Sequence, residues 1–560
     1  MTDTYNNCSL WVALACTALC LSGCANPGNG GDFNTAGIPA ERLHEIETMQ
    51  LAEHSLSEPV SVEQAARNVI DPAVTEKETA ESIELELAQV RAHALANNLD
   101  LKVELVNPSI AEESVTEEEA VFEPLLFGSI QADRTDRPSA VLDVSGQHSR
   151  LLSYDAGVSI PLRAGGTITV DFPFSKSDDG TVDDLSYEQR AKIINPVYET
   201  GLKFSISQPL LRDAGVRTNT HPIRVAQHLK GVADARTKLE AIRILANVDR
   251  AYWLLFAARR QLQVSQEQYE LALQQLEQAR RRVAAGAAPE IEIMRAESGV
   301  ARRLEAIIIA DTEVRRRERA LKRMMNRDDL PVNSPTSLYM KTEPNPIGLK
   351  LDAEALADFA VENRMEMLEL ELRLAIDSST IDFERNGALP LFVLDYSYSV
   401  NGLGSSFNEA FRDLTDGSFA DYSVGLRAEI PVGNQAAKSR VRRALLERLQ
   451  RLATRDQRRL AIRQEVYDAI DRLEQNWQRI LAARQEVILA GRTYEAEKRQ
   501  FEVGLRTSTE VLEAAARIAG AQSREIHALA AYEISQIDIA YACGTLLGQE
   551  GVIWQPTRLD

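Results

Sequence analysis

Cysteine and histidine are scarce in this 560-residue chain, and with them goes most metal and thiol chemistry. Of 5 cysteines, Cys8, Cys16, Cys20 and Cys24 crowd at the N-terminus. Cys543 is left alone on a predicted helix, where it reads as a small buried hydrophobe. No disulfide framework or thiol metal site can be built from that set. The 7 histidines are scattered, none at the His-Glu-x-x-His spacing of a zinc hydrolase. No Gly-rich phosphate loop of the Walker type occurs, so no nucleotide site is expected. The inventory offers no catalytic constellation, and neither enzyme activity, cofactor nor metal is expected.

Long apolar runs are scarce as well. With 44% hydrophobic and 26% charged residues, the composition excludes a polytopic helical membrane protein. The one exception, Ser9 to Gly23, is too short and too rich in small residues to span a bilayer but suits a signal-peptide core. It closes on Leu21-Ser22-Gly23-Cys24, the lipobox pattern in which the cysteine becomes the lipidated first residue. The stretch before it carries Asp3 and no Lys or Arg, a departure from the usual signal. A signal peptide over 1–23 and a lipid anchor at Cys24 are expected. The net charge of −20 is uneven: Glu41 to Glu123 is acidic, while Arg224 to Arg327 and Arg440 to Arg499 are rich in Arg. Those arginines alternate with Glu and Gln around an apolar seam, the pattern of a solvated coiled-coil face rather than a nucleic-acid surface.

The chain repeats itself. Asn97-Asn98-Leu99-Asp100-Leu101 corresponds to Asn363-Arg364-Met365-Glu366-Met367, and Pro124 to Pro390, all at a separation of 266. Gly286 to Met294 corresponds to Gly504 to Leu512, and Val248 to Ala251 to Val466 to Ala469, all at 218. Each unit reads as helix, strand, strand, long helix, shorter helix. In the second, Val466, Ile470, Leu473, Trp477, Ile480, Val487 and Tyr494 lie on a heptad track, interrupted by Arg484 and Gly491. In the first, Val300, Leu304, Ile307, Val314, Leu321 and Met325 form a similar seam on the shorter helix. Arg224 to Ala284 and Ala437 to Val503 run without Pro, so each long helix spans roughly 90 to 100 Å. The returning helices, about Glu290 to Arg327 and Ser508 to Leu547, are too short to pair along that length. Stacking about Ala80 to Glu123 and Asp352 to Asn386 on their ends supplies the difference. Periodicity alone fits a coiled-coil rod equally well.

Strands favour a channel. Phe392, Leu394, Tyr396, Tyr398 and Val400 alternate with polar residues, as do Val424, Leu426, Ala428 and Ile430, and Leu202, Phe204 and Ile206. About ten residues with one greasy and one polar face suit a tilted membrane strand. Leu126 to Arg134 is a weaker fourth. Four strands cannot close a barrel, and lipid tolerates no open edge, so oligomerisation must complete it. The alternative is a half-buried sheet in a soluble domain. Tyr154 to Arg163 and Thr167 to Phe174 form an extra hairpin around Gly165-Gly166, either an extracellular elaboration or additional barrel-rim strands.

From about Ala80 to Gly548 the chain resembles the TolC-like outer membrane factor family. The resemblance is carried by Phe204 to Leu211 (FSISQPLL), Tyr396 to Gly404 (YSYSVNGLG), Asp421 to Pro431 (DYSVGLRAEIP) and Phe501 to Glu513 (FEVGLRTSTEVLE). It implies a mixed α+β membrane protein, a long α-helical coiled-coil barrel joined to a membrane β-barrel completed by trimerisation. Four strands per subunit would give twelve, continued by a twelve-helix tunnel through the periplasm. It also implies a passive export duct in the bacterial outer membrane, opened by a periplasmic adaptor and an inner-membrane pump of RND or ABC type, in efflux or type I secretion. A lipid-anchored coiled-coil envelope scaffold is the competing reading; a periplasmic adaptor, with its single hairpin, fits less well. The expected segments are 1–23 signal peptide, 24–79 acidic linker or equatorial segment, 80–340 first unit, 341–548 second unit and 549–560 tail.

The helical turns carry the candidate site. Val503, Gly504, Leu505 and Thr507, with Gly286, Ala287, Ala288 and Pro289 in the first unit, resemble the family's adaptor-contacting tips. Glycine and proline there are also what any helical turn requires. Glu510 and Glu513, three apart on one face, align with the family's paired acids at the periplasmic constriction; exposed acids at a helix start also favour its dipole. Arg506 aligns with an arginine that holds the entrance shut, and Phe501 stands where a gating tyrosine occurs but lacks its hydroxyl.

Overall fold

The computed structural model describes residue 64 and residues 82–137, 147–180, 193–503 and 505–549, all in the unit Ser61–Asp560. The expected signal peptide, the anchor at Cys24, Gly504, and nearly all of segments 24–79 and 549–560 lie outside the described residues.

In chain order, strand β1 (Ser82–Leu85) and helices α1 (Leu87–Asn97) and α2 (Leu99–Ala120) lead into β2 (Leu125–Arg137), β3 (Gln147–Pro161), β4 (Thr167–Asp179) and β5 (Val197–Pro209). One turn, α3 (Val216–Asn219), precedes the long helix α4 (His221–Ala284), which returns as α5 (Ile291–Met325). The chain continues through β6 (Ser337–Met340), α6 (Ala353–Asn363), α7 (Met365–Gly387), β7 (Leu391–Gly404), α8 (Phe407–Asp416), β8 (Ala420–Glu429), α9 (Gln435–Glu502), α10 (Ser508–Ala542) and α11 (Leu546–Gln549).

With 64 and 68 residues, α4 and α9 are about 96 and 102 Å long. Their 35-residue partners α5 and α10 cover little more than half of that. Stacking makes up the rest. Asn98 caps α2 by accepting the Leu101 N–H at 3.0 Å and donates to the Met324 carbonyl at 3.0 Å, seating α2 on the end of α5. From the other side of the joint, the Asn326 side chain donates to the Asn97 carbonyl at 3.1 Å. Position 364 repeats position 98: buried Arg364 pairs with Glu366 and Glu465 and packs against Gly544, just past α10. Four helical positions result: α2 on α5, α4, α7 on α10, and α9.

The expected seams are where the helices meet. Val300, Leu304, Ile307, Val314, Leu321 and Met325 are all buried, as are Val466, Leu473 and Ile480. At mid-height the parallel pair β1 and β6 closes over Tyr252, whose hydroxyl donates to the Leu85 carbonyl at 3.1 Å and accepts from Thr342 N–H at 3.0 Å. Cys543 is buried, as a small hydrophobe should be. Among the described residues no helix is long and apolar enough to cross a membrane.

One antiparallel sheet holds six strands in the order β2-β3-β4-β5-β7-β8, not four. The extra hairpin is neither a surface elaboration nor confined to a rim. Its strands of 15 and 13 residues lie inside the ladder, paired from Leu125↔Ser159 to Arg137↔Gln147 on one side and from Thr167↔Ser207 to Ser177↔Val197 on the other. Length explains the difference: the alternating core of each strand is visible in sequence, but polar residues at its outer end conceal the rest.

Candidate functional site

Two regions can carry function: the sheet, and the helical tips at the opposite end of α4 and α9.

Antiparallel partners share a face, so the register sorts every side chain. One face carries Leu126 and Ile130 of β2, Val158 and Ile160 of β3, and Ile168 and Val170 of β4. It continues through Phe204 and Ile206 of β5, Tyr396 and Tyr398 of β7, and Tyr422 and Val424 of β8. Many of these are open to the surroundings, Leu126 at 78% and Tyr422 at 79% exposure. The opposite face carries Ser129, Asp155, Asp171, Lys203, Ser205, Asp395, Ser397, Ser423 and Arg427. Polar groups there bond to one another: the Ser207 hydroxyl donates to Asp395 at 2.7 Å, Asn401 to Asp421 at 2.7 Å, and Ser397 and Ser423 share a bond of 2.8 Å. Apolar outside and wet inside is the partition of a membrane barrel. The sheet ends on β2 and β8, each without a further neighbour among the described residues.

At the tips the two units close alike. Ala287 N–H reaches the Arg282 carbonyl at 2.8 Å, and its repeat counterpart Leu505 N–H reaches Gln500 at 2.9 Å. Gly286 makes its turn at φ 69°, open on all sides, and Pro289 follows in the linker. Ala287 is exposed and Ala288 half-buried. Val503 and Leu505 stand out at 71% and 77% exposure.

Arg506 is gripped within its own unit. It donates to Gln500 Oε1 at 2.9 Å and to Glu510 Oε1 at 2.5 Å, and pairs with Glu497 at 3.2 Å. Thr507 and Glu510 form a capping box at the start of α10: Glu510 accepts from Thr507 N–H at 2.8 Å and from its hydroxyl at 3.1 Å. The Thr507 backbone N–H and Arg506 together hold the Glu510 carboxyl below the usual carboxylate range. Glu510 also raises Arg506 further, ahead of Glu497. Glu513 takes no part in this knot; exposed, it faces a groove shared with Arg295, Ser298 and Arg302 of α5. The two acids thus lie on one helix but in different surroundings.

Phe501 is buried at 9% exposure, with the Arg282 guanidinium 4.8 Å from its ring centre. A guanidinium over an aromatic face is attracted by the ring's quadrupole. Arg282, Gln500 and Glu497 escaped the sequence reading. The repeat offset of 218 sets Arg282 opposite Gln500 and was the available signal.

Residues 184–327 and 356–545 match the family described as outer membrane efflux protein. The outer membrane protein TolC of Vibrio cholerae is 24% identical over 208 residues, 35% of this chain and 45% of that protein, so the chain spans under half the length of this curated relative. A membrane protein from Pseudomonas aeruginosa shares the fold at TM-score 0.61 and 16% identity, covering 83% of this chain and 91% of the other. The Campylobacter jejuni CmeC outer membrane channel does so at TM-score 0.60 and 15% identity, covering 82% and 86%.

Proposed function

The chain belongs to the outer membrane efflux protein family, and from that membership we propose that it is the outer-membrane channel subunit of a tripartite efflux or type I secretion system. Three copies join β8 of one to β2 of the next and so close a barrel that one sheet leaves open. The observation that carries this reading is the continuous apolar face ending on two edges that have no further neighbour among the described residues, because lipid does not accept exposed strand edges. The helices prolong the lumen through the periplasm, and Cys24 anchors the mature chain to lipid.

The duct is passive and is not an enzyme. Energy and choice of cargo belong to an inner-membrane pump of RND or ABC type, reached through a periplasmic adaptor that meets the tips at Gly286, Ala287, Ala288 and Pro289 and at Val503, Gly504, Leu505 and Thr507. Phe501, Arg506, Glu510 and Glu513 form the periplasmic constriction. The knot of Arg506 with Glu497, Gln500 and Glu510 supports a resting state whose opening requires an outside partner to displace those bonds.

Native mass spectrometry of the detergent-purified protein, followed by planar-bilayer recording, tests the reading. A trimer with discrete conductance steps is expected. A stable monomer, or a trimer that never conducts, overturns it and returns the lipid-anchored scaffold.

A further inference from the structure

The inserted hairpin sits between the two strands that would otherwise be neighbours, β2 and β5. Its outward face is apolar as far as the aromatic row: Tyr154, Ala156, Val158 and Ile160 on β3 lie against Phe174, Phe172, Val170 and Ile168 on β4, and Lys176 follows opposite Leu152. Its other face is polar, with Ser153, Asp155, Ser159, Thr169 and Asp171.

Aromatic rings mark one border of the apolar band, and they run straight across the hairpin. Tyr154 lies 5.6 Å from Phe174, and Phe174 lies 6.3 Å from Tyr198 and 5.4 Å from Phe407 of α8. Such a row is what an interfacial girdle requires. At the opposite border the hairpin turn is fastened to the head of the helices. The Ala164 carbonyl accepts from Gly215 N–H at 2.9 Å and from the Gln208 side chain at 3.2 Å, and Arg163 lies over the Phe122 ring at 5.9 Å. Both ends of the hairpin therefore reach the same levels as β2 and β5.

Perimeters agree with this. Four helical positions per chain make twelve in a trimer, and at about 9 to 10 Å apart they form a ring of roughly 110 Å. Strands about 4.8 Å apart and tilted by about 40° each take roughly 6 Å of circumference, so twelve give about 75 Å and eighteen about 110 Å. At that tilt, six strands per chain give a perimeter that matches the helical ring.

We propose that the hairpin supplies two further barrel staves, so that the trimer encloses an eighteen-stranded pore roughly half again as wide as a twelve-stranded one, passing hydrated cargo too bulky for the narrower barrel. The proposal rests on the trimeric-duct reading and adds the size class of what passes.

Strand counting by electron microscopy of the full-length protein in lipid discs tests it, together with polymer exclusion in planar bilayers. Polyethylene glycols of graded size are added on the barrel side, where they enter the lumen whatever the state of the tips. A variant with residues 138–196 replaced by an Asn-Gly turn joins β2 to β5 and lowers the strand count. Eighteen strands in the wild type, and a cut-off diameter about 1.5-fold larger than the variant's, are expected. If the variant fails to assemble, the wild-type strand count decides alone. A trimer with twelve strands and the hairpin lying apart, or equal cut-offs, overturns the wide pore and leaves the duct standing. A monomer without conductance overturns both.

Discussion

Arg506, Glu510 and Phe501 show how many contacts at the tip are made within one chain, contacts that serve as a latch on the proposed reading. Because the native Glu510 pKa is depressed, its contribution is present above the unfolded value and is lost as pH falls through the native one, below about pH 4.3. Closed-state conductance should therefore rise on acidification through that window, as the capping box and the Arg506 contact weaken together. Glu510→Gln, which keeps an acceptor but loses the charge, should show a higher baseline and no acid step. A wild-type conductance that stays flat on acidification until the protein unfolds would refute this. Phe501 acts through packing instead. Phe501→Ala leaves a cavity costing about 3 kcal/mol locally and frees Arg282, so basal conductance should rise at neutral pH. Unchanged conductance would mean the ring only fills space.

At the scale of elements, the joints between stacked helices matter as much as the seams. Asn98 and Arg364 stand at equivalent places yet solve the joint differently, one with hydrogen bonds to carbonyls, the other with two carboxylates. Arg364→Ala takes a buried charge from Glu366 and from the partly exposed Glu465, which are left with Arg458 alone, and should loosen the joint. Protease cutting between α6 and α7 should increase while the proposed trimer persists; its loss with no new cleavage would move the role elsewhere. In the sheet, Gly157 faces Phe127, and a Cβ there would lie 2.6 Å from the Val170 carbonyl oxygen and 2.9 Å from the Asp171 Cα. Both are backbone atoms that cannot step aside, so Gly157→Val should part β3 from β4 and depress assembled trimer several-fold in membrane fractions. Normal assembly of that variant would show that the ladder has slack.

For the whole molecule, two neighbouring residues on one edge strand distinguish a membrane barrel from a docked sheet. Val424→Arg places a charge on the apolar face, costing about 2 to 4 kcal/mol near the bilayer midplane, and should sharply lower trimer yield. Ser423→Arg places the same charge on the polar face and should assemble normally while shifting the reversal potential toward anions. Equal tolerance of both would favour a sheet buried against protein.

Helix lengths, the duplicated plan and the apolar seams were legible in the sequence because each is a one-dimensional pattern: a heptad, a repeat offset, a span free of Pro. The alternating strands were legible for the same reason, as far as their apolar cores extend. Stacking of α2 on α5 could be anticipated from lengths alone. The bonds at the joints could not, since Arg364 meets Glu465 across 101 residues of chain. Nor could Arg282 over Phe501, which joins two units through space. The number of strands in the sheet was likewise a tertiary decision. A hairpin of alternating residues reads the same whether it hangs free or enters a sheet, and only the register with β2 and β5 commits its backbone to the ladder.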